Sequence, residues 1–207
     1  MNIYKDTGKT TFDFFISLAG LLVLLPLILF LAFIITFYDT GPIFFFQERI
    51  GKDFKKFKLF KFRTMVVNAD KMGAAVTKGE DPRITPIGRF LRQYKLDELP
   101  QLINVLKGDM SLVGPRPEVE QYVVLFKKEY ERILSIKPGI TDYAALAYRD
   151  EEKILNNYED ADKGYVKEVL PAKIALYEKY LREICFSTDL KIIFKTLWRI
   201  VAASQVF

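Results

Sequence analysis

The chain has 207 residues, of which 50% are hydrophobic and 28% charged, and its formal net charge is +5. This length suits one domain of ordinary size. The charged fraction is too large for a polytopic membrane protein, and the hydrophobic fraction is too large for a disordered chain. The single Cys185 excludes an internal disulfide, and the absence of histidine excludes Ser-His-Asp, Cys-His and His-ligated metal chemistry. Catalysis would therefore need carboxylates, lysine, tyrosine, hydroxyls, Cys185 or a cofactor, and a metal would be a hard ion bound through oxygen.

The first predicted element is a run of 25 residues without a charge, from Phe14 to Tyr38. It is long enough for a transmembrane helix of about 20 residues. Pro26 divides it into arms of 12 residues, each roughly 18 Å long and too short for a hydrocarbon core of about 30 Å. The residues alone favour a kinked span, because membrane helices tolerate proline, and leave a re-entrant hairpin open. The lysines and arginines that follow place the main domain on the cytoplasmic side.

Short elements are predicted after the apolar segment. The alternation of phenylalanine and lysine over 54–62 predicts one or two strands. Helices are predicted over 87–94, 99–106, 118–136 and 171–184, with a loop and a short helix over 66–82 and a partly looped segment over 150–163. A basic amphipathic helix is predicted over 189–207, where core packing and a membrane interface fit equally well.

Asp97 and Glu98 are adjacent carboxylates just before a predicted helix. Such pairs commonly cap a helix and face its dipole. The functional alternative is a nucleophilic carboxylate beside a neighbour that binds metal or handles a proton. The absence of histidine raises the rank of this alternative.

Two further sets of residues suit an anionic ligand. In 114–117 two prolines stiffen the backbone around Arg116, which suits a two-point grip on phosphate, although an ordinary turn has the same composition. Scattered basic residues either form a solvated face, attract lipid headgroups or line a site. Nucleic-acid binding is disfavoured because they adjoin a membrane segment. The set comprises Lys61, Arg63, Arg83, Arg89, Arg92 and Arg149.

From about residue 12 to residue 198 the chain resembles the bacterial sugar transferase family, the small monotopic phosphoglycosyl transferases. The resemblance rests on several unusual motifs in one order. They are the apolar segment with its central proline, 46–51, 61–65, 81–83, 96–101, 104–111, 114–117 and 137–141.

The resemblance implies a reaction and its residues. A sugar 1-phosphate would pass from a UDP-sugar to polyprenyl (undecaprenyl) phosphate, releasing UMP and giving polyprenyl-diphosphate-sugar, the first membrane step of polysaccharide or glycoconjugate assembly. Asp97 would be the nucleophile of a ping-pong mechanism and the ligand of a required Mg²⁺, and Glu98 would be the second catalytic carboxylate. The expected substrate-binding residues are Lys61, Arg63, Arg92, Pro115, Arg116, Pro117 and Arg149.

The resemblance also implies an α+β, mostly helical fold on the cytoplasmic face of the bacterial inner membrane. Residues 1–38 would form a re-entrant helix-break-helix anchor with the break at Pro26, and residues 39–207 a cytoplasmic catalytic domain with short β elements and interfacial amphipathic helices. Leu25 precedes Pro26 where many members have serine. Asp142 and Tyr143 replace a common Gly-Leu, and Tyr177 stands where aspartate is common.

The expected partners are UDP-sugar, polyprenyl phosphate and membrane lipid, without nucleic acid, and a homodimer stays open. One alternative function is a non-catalytic membrane protein that binds nucleotide sugars or lipid. Another is a metal-dependent glycosyl transferase of the bitopic kind, which would release UDP.

Overall fold

The computed structural model describes residues 4–39, 41–69, 72, 77 and 81–202. The fold is α+β and mostly helical, as predicted. Its strands form two separate two-stranded sheets in the described part of the chain. Of the segment 66–82, residues 70–71, 73–76 and 78–80 lie outside the described residues, as do residues 203–207 of the predicted C-terminal helix.

Helix α1 (Lys9–Tyr38) follows a π-helical turn, Tyr4–Gly8, and continues through Pro26 as one helical element of about 45 Å. The break predicted at Pro26 is therefore not confirmed. In the described ranges α1 is the one helix long and apolar enough to cross a membrane. Its buried side chains recur along one face, whereas large apolar side chains elsewhere on it are exposed. The buried ones are Lys9, Asp13, Ser17, Leu31 and Ile35.

Both halves of α1 pack against the rest of the protein. Near its start, Lys9 Nζ lies 2.5 Å from Asp189 Oδ2, and Asp13 Oδ1 accepts the Leu112 N–H at 3.3 Å. In its second half, Leu31 and Ile35 form a buried cluster with residues of the globular part, Phe62 and Leu91. The globular part therefore contacts α1 at points more than 20 residues apart, roughly 30 Å along a helix.

Strands β1 (Phe44–Ile50) and β2 (Lys56–Phe62) form an antiparallel hairpin in which Phe44 pairs with Phe62. The alternation over 54–62 is thus confirmed for β2, whereas Phe54 lies in the turn. Asp53 and Phe54 both have positive φ, at 55° and 60°. They lie within residues 51–55, which join the paired ends of β1 and β2, and the Lys55 N–H closes the turn around them by donating to the Lys52 carbonyl at 3.1 Å.

Helix α2 (Pro86–Gln93) leads through a 3₁₀ turn, Leu96–Glu98, into α3 (Gln101–Lys107), close to the predicted bounds. The Thr85 side chain caps α2 by accepting the Gly88 N–H at 3.0 Å. A Cβ on Gly88 would lie 1.9 Å from the Thr64 carbonyl oxygen, so only glycine lets α2 approach the segment after β2 this closely.

Strands β3 (Ser111–Val113) and β4 (Gly139–Thr141) pair in parallel. The single helix predicted over 118–136 is wrong. It is two helices, α4 (Glu120–Leu125) and α5 (Lys127–Ile133), separated at Phe126 by φ −120° and ψ 39°. Phe126 leaves the helical conformation where it packs against the buried cluster that contains Tyr122 and Tyr130.

The remaining chain consists mainly of helices, and the segment 150–163 is partly loop, as predicted, with non-helical residues between two short helices. Its elements are α6 (Tyr143–Ala147), α7 (Glu151–Leu155), α8 (Ala161–Gly164), a π-helical segment (Tyr165–Val169), α9 (Leu170–Glu183) and α10 (Phe186–Ala202). On α10, Phe194, Leu197 and Trp198 are exposed, whereas Ile192 is buried.

Candidate active site

Asp97 lies in the 3₁₀ turn between α2 and α3, after Lys95 in a left-handed conformation with φ 56°. Its side chain is buried, and its Oδ1 has no hydrogen-bond partner among the residues that the structure describes. Burial raises the pKa of Asp97 above its ordinary value, and the charge of Lys61 opposes that rise. A buried carboxylate oxygen without a donor is free to meet a ligand.

Glu98, the next residue, is fully engaged. Arg116 donates from both terminal nitrogens, with NH1 3.1 Å from Oε2 and NH2 on Oε1, and Lys61 Nζ lies 3.3 Å from Oε1. Burial alone would raise the pKa of Glu98, but the charges of Arg116 and Lys61 hold it well below its ordinary value. Glu98 is therefore a fixed anion, and the two adjacent carboxylates have opposite pKa shifts.

The loop 114–117 places Arg116 opposite Glu98, and each of its four residues is anchored. Gly114 N donates to Thr141 O at 3.0 Å, and Pro115 O accepts the Gly139 N–H at 2.9 Å. Arg116 N donates to Asp142 Oδ2 at 3.0 Å, and Pro117 O accepts from Arg49 NH1 at 3.2 Å. The prolines, which lack N–H groups, take part through their carbonyls alone.

Glycine is required where this loop meets β4. A Cβ on Gly139 would lie 2.0 Å from the Gly114 nitrogen, and a Cβ on Gly114 would lie 2.7 Å from the Lys137 carbonyl oxygen. Real contacts never approach so closely, so the loop and β4 touch backbone to backbone.

A buried ionic cluster adjoins the loop 114–117 and is formed by Glu118, Lys173, Arg49 and Tyr165. Glu118 is 5% exposed and lies 3.4 Å from Lys173 Nζ and 3.5 Å from Arg49 NH1, and it accepts a hydrogen bond of 2.6 Å from Tyr165 OH. Lys173 also contacts Glu151 at 3.0 Å. Burial raises the pKa of Glu118, but Lys173 and Arg49 lower it below its ordinary value. Sequence reasoning missed this cluster because Lys173 lies 55 residues from Glu118 and belongs to no motif.

The structure thus brings Lys61, Asp97, Glu98 and Arg116 together, and it places the other predicted basic residues differently. Arg92 donates to Thr64 Oγ1 at 2.9 Å and to Glu152 at 2.8 Å, while its charge still acts on Asp97. Arg63 is buried and donates to the Asp39 carbonyl at 3.0 Å, at the end of α1.

The described hydrogen bonds of Arg149 go to backbone carbonyls and not to the carboxylate pair, Asp97 and Glu98. It donates to the backbone carbonyls of Arg199 and Gln93, the latter at 3.5 Å. It therefore ties α10 to the end of α2. For Arg63 and Arg149, a role in binding substrate stays a prediction.

The residues present fit a magnesium ion held mainly by its substrate. In the ranges that the structure describes, no three or more acidic, cysteine or histidine side chains lie close enough together to hold a metal ion by themselves. Mg²⁺ commonly binds one or two carboxylates and completes its shell with water and substrate phosphates. Asp97 Oδ1, for which the described ranges supply no hydrogen-bond donor, has the chemistry of such a ligand.

Comparison with known proteins decides the family. The family model described as "Bacterial sugar transferase" matches residues 4–203, nearly the whole chain. The chain belongs to this family. The membership predicted from the motifs is confirmed, and the protein is a phosphoglycosyl transferase.

Three curated relatives illustrate the range of matches. A putative undecaprenyl-phosphate N-acetylgalactosaminyl 1-phosphate transferase of Bacillus subtilis is 46% identical over 121 residues, covering 58% of this chain and 68% of the relative. The exopolysaccharide production protein ExoY of Sinorhizobium fredii is 34% identical over 92% of this chain and 84% of its own. The UDP-glucose:undecaprenyl-phosphate glucose-1-phosphate transferase of Escherichia coli is 34% identical over 92% of this chain but 39% of its own.

Proposed function

We propose that the protein transfers a sugar 1-phosphate from a UDP-sugar to undecaprenyl phosphate and releases UMP, with Asp97 as the nucleophile. The relatives named for this kind of transfer support the reaction class. The observation that carries the assignment of Asp97 is its buried Oδ1, which has no hydrogen-bond partner in the described part of the chain, beside Glu98, whose two oxygens are engaged by Arg116 and Lys61.

In the first half-reaction a carboxylate oxygen of Asp97 attacks the β-phosphorus of the UDP-sugar. The new bond joins that oxygen to phosphorus, and the bond from phosphorus to the bridging oxygen breaks. UMP leaves with the electron pair, and the sugar phosphate stays on Asp97. In the second half-reaction an oxygen of the lipid phosphate attacks the same phosphorus, and Asp97 leaves as a carboxylate.

Repulsion between anions is the main obstacle to this chemistry. Two unit charges 4 Å apart repel by about 4 kcal/mol at an effective dielectric of 20. Lys61 and Arg116 offset part of that repulsion, and Glu98 holds both cations in place. Mg²⁺ held by Asp97 would neutralise further phosphate charge. The lipid phosphate is ionised at neutral pH, so the acceptor needs no histidine base.

The packing of α1 supports a proposal for the membrane topology. A helix that crossed the bilayer would put residues about 30 Å apart on opposite faces. Here Lys9 and Ile35 both contact the globular part. We therefore propose that α1 dips into the cytoplasmic leaflet of the inner membrane and does not cross it, and that the exposed apolar face of α10 lies at the same interface.

The reaction is tested by identifying the released nucleotide across a panel of UDP-sugars with undecaprenyl phosphate. UMP supports the proposal, UDP would indicate a glycosyl transferase, and binding without release would indicate a non-catalytic protein. Asp97→Asn should abolish UMP release and the trapping of labelled sugar phosphate on the protein. UMP exchange at a normal rate in that variant would overturn the nucleophile assignment.

The topology is tested with single cysteines in a Cys185→Ser background. Thr7→Cys near the start of α1 and Ser135→Cys on the globular surface should both resist an impermeant thiol reagent in intact cells and react after lysis. Labelling of Thr7→Cys alone from outside would restore the spanning model.

A further inference from the structure

Asp142 is a buried carboxylate that contacts the loop of the candidate active site. It is 1% exposed and lies directly after β4. Its Oδ2 accepts the Arg116 backbone N–H at 3.0 Å, and its Oδ1 accepts the Ala145 N–H at 2.5 Å. One oxygen therefore caps α6, and the other holds the residue whose guanidinium grips Glu98.

The contact with Arg116 is structurally demanding. The flanking residues Pro115 and Pro117 have no N–H, so the Arg116 amide is the one backbone donor of that tripeptide. An amide in such a place costs free energy unless an acceptor reaches it. A carboxylate can serve this donor and a helix cap at once because it has two accepting oxygens.

We infer that Asp142 is a positioning residue for the transfer reaction. It fixes the backbone of Arg116, so that the guanidinium contacts Glu98 at two points. Through that contact Glu98 and Lys61 keep their positions beside Asp97. The distances that carry this inference are Asp142 to Arg116 N, Arg116 to Glu98, and Glu98 to Lys61. The hydrogen bond between Arg116 and Asp142 does not depend on the reaction, whereas its consequence for the rate rests on the proposed function.

Asp142→Ser separates the two roles of the carboxylate. Serine caps helices about as well as aspartate, so α6 keeps its cap, but its single short oxygen leaves the Arg116 N–H without an acceptor. Asp160→Ser is the matched control. Asp160 also caps a helix, α8, by accepting the Lys163 N–H at 3.1 Å, and no hydrogen bond of its side chain reaches the loop 114–117 in the part of the chain described.

The first measurement is hydrogen exchange of the peptide that contains 114–117 in the full-length protein in detergent. In Asp142→Ser the amide hydrogen of Arg116 should exchange with solvent about tenfold faster than in the parent protein. In Asp160→Ser its exchange rate should be unchanged. Unchanged exchange in Asp142→Ser would overturn the anchor. This readout does not depend on any enzymatic activity, so it stands even if no UDP-sugar yields UMP.

The second measurement is UMP release in the parent and in an Arg116→Ala background. Asp142→Ser should slow release about tenfold in the parent and add no further loss when the Arg116 side chain is absent. An equal loss in both backgrounds, or no loss in the parent, would overturn the positioning role. If Asp142→Ser does not fold, Asp142→Asn replaces it, since either orientation of the amide leaves one of the two N–H groups facing an NH₂.

Discussion

Arg116 and Glu98 form a two-point ion pair in which the two terminal nitrogens of the guanidinium reach the two carboxylate oxygens. The pair consumes the hydrogen-bonding capacity of Glu98 on that side, and Lys61 takes more of it. Asp97 is the member of the carboxylate pair with an oxygen that no described residue contacts by a hydrogen bond. Environments that drive two neighbouring carboxyl pKa values apart are typical of sites that give the two groups different tasks.

The fork of Arg116 should be essential. In Arg116→Lys the charge stays, but an ammonium cannot match both oxygens of Glu98, so we expect UMP release to fall about 10- to 100-fold. Arg132→Lys is the control, because Arg132 pairs with Glu178 at the exposed surface. Steady-state assays of both variants decide the matter, and equal activities would contradict the geometric role of the fork.

Lys61 should set the acid side of the pH profile. Its charge opposes the rise that burial imposes on the pKa of Asp97, so Lys61→Met should raise that pKa further. The nucleophile is the ionised form, and the acid limb of UMP release should therefore move to higher pH. Lys58→Met, an exposed position on the same strand, serves as the control, and an acid limb that stays in place would show that Lys61 does not act on the nucleophile.

The cluster behind the loop should matter for stability. Lys173→Met leaves Glu118 buried with less positive charge, and removing one partner of a buried ion pair costs about 3 kcal/mol of unfolding free energy or more. Lys163→Met removes an exposed pair with Asp160, which solvent screens, and should leave the unfolding free energy nearly unchanged. Denaturant unfolding in detergent measures both, and similar values for the two variants would argue against the cluster's importance.

The backbone contact between the loop and β4 should not tolerate a methyl group. Gly139→Ala should lower the midpoint of thermal unfolding by about 5 °C or more and reduce activity, since its Cβ overlaps the Gly114 nitrogen. Gly20→Ala is the contrast, because a Cβ there meets Leu102 at an ordinary 3.7 Å. A fully active and stable Gly139→Ala protein would mean that the loop can move away from β4 without loss.

Local patterns predicted much of the fold. The alternation over 54–62 predicted β2, and the helix predicted over 99–106 is α3 within two residues, because strand alternation and helix formation depend on near neighbours. The division of the helix at Phe126 was missed, since the buried cluster that Phe126 packs against includes residues remote in the chain, such as Tyr165 and Leu170, and no local pattern displays that contact.

The residues of the candidate site were likewise predicted from the sequence only in part. Asp97, Glu98 and Arg116 come from motifs that the sequence displays, and the structure brings them together. That Asp142 anchors Arg116 depends on the parallel pairing of β3 with β4, which joins segments far apart in the chain. The sequence marks Asp142 only as a departure from the family pattern, and nothing local indicates which group it contacts.

The buried face of α1 has a consequence for how the protein is made. Synthesis proceeds from the N-terminus, so Leu31 and Ile35 are exposed before Phe62 and Leu91, the residues that cover them, have been translated. During that interval α1 has the length and composition of an ordinary membrane-crossing helix. Under the proposed topology, α1 reaches its final position only after the residues that cover Leu31 and Ile35 have been made, so its insertion is coupled to the folding of the globular part.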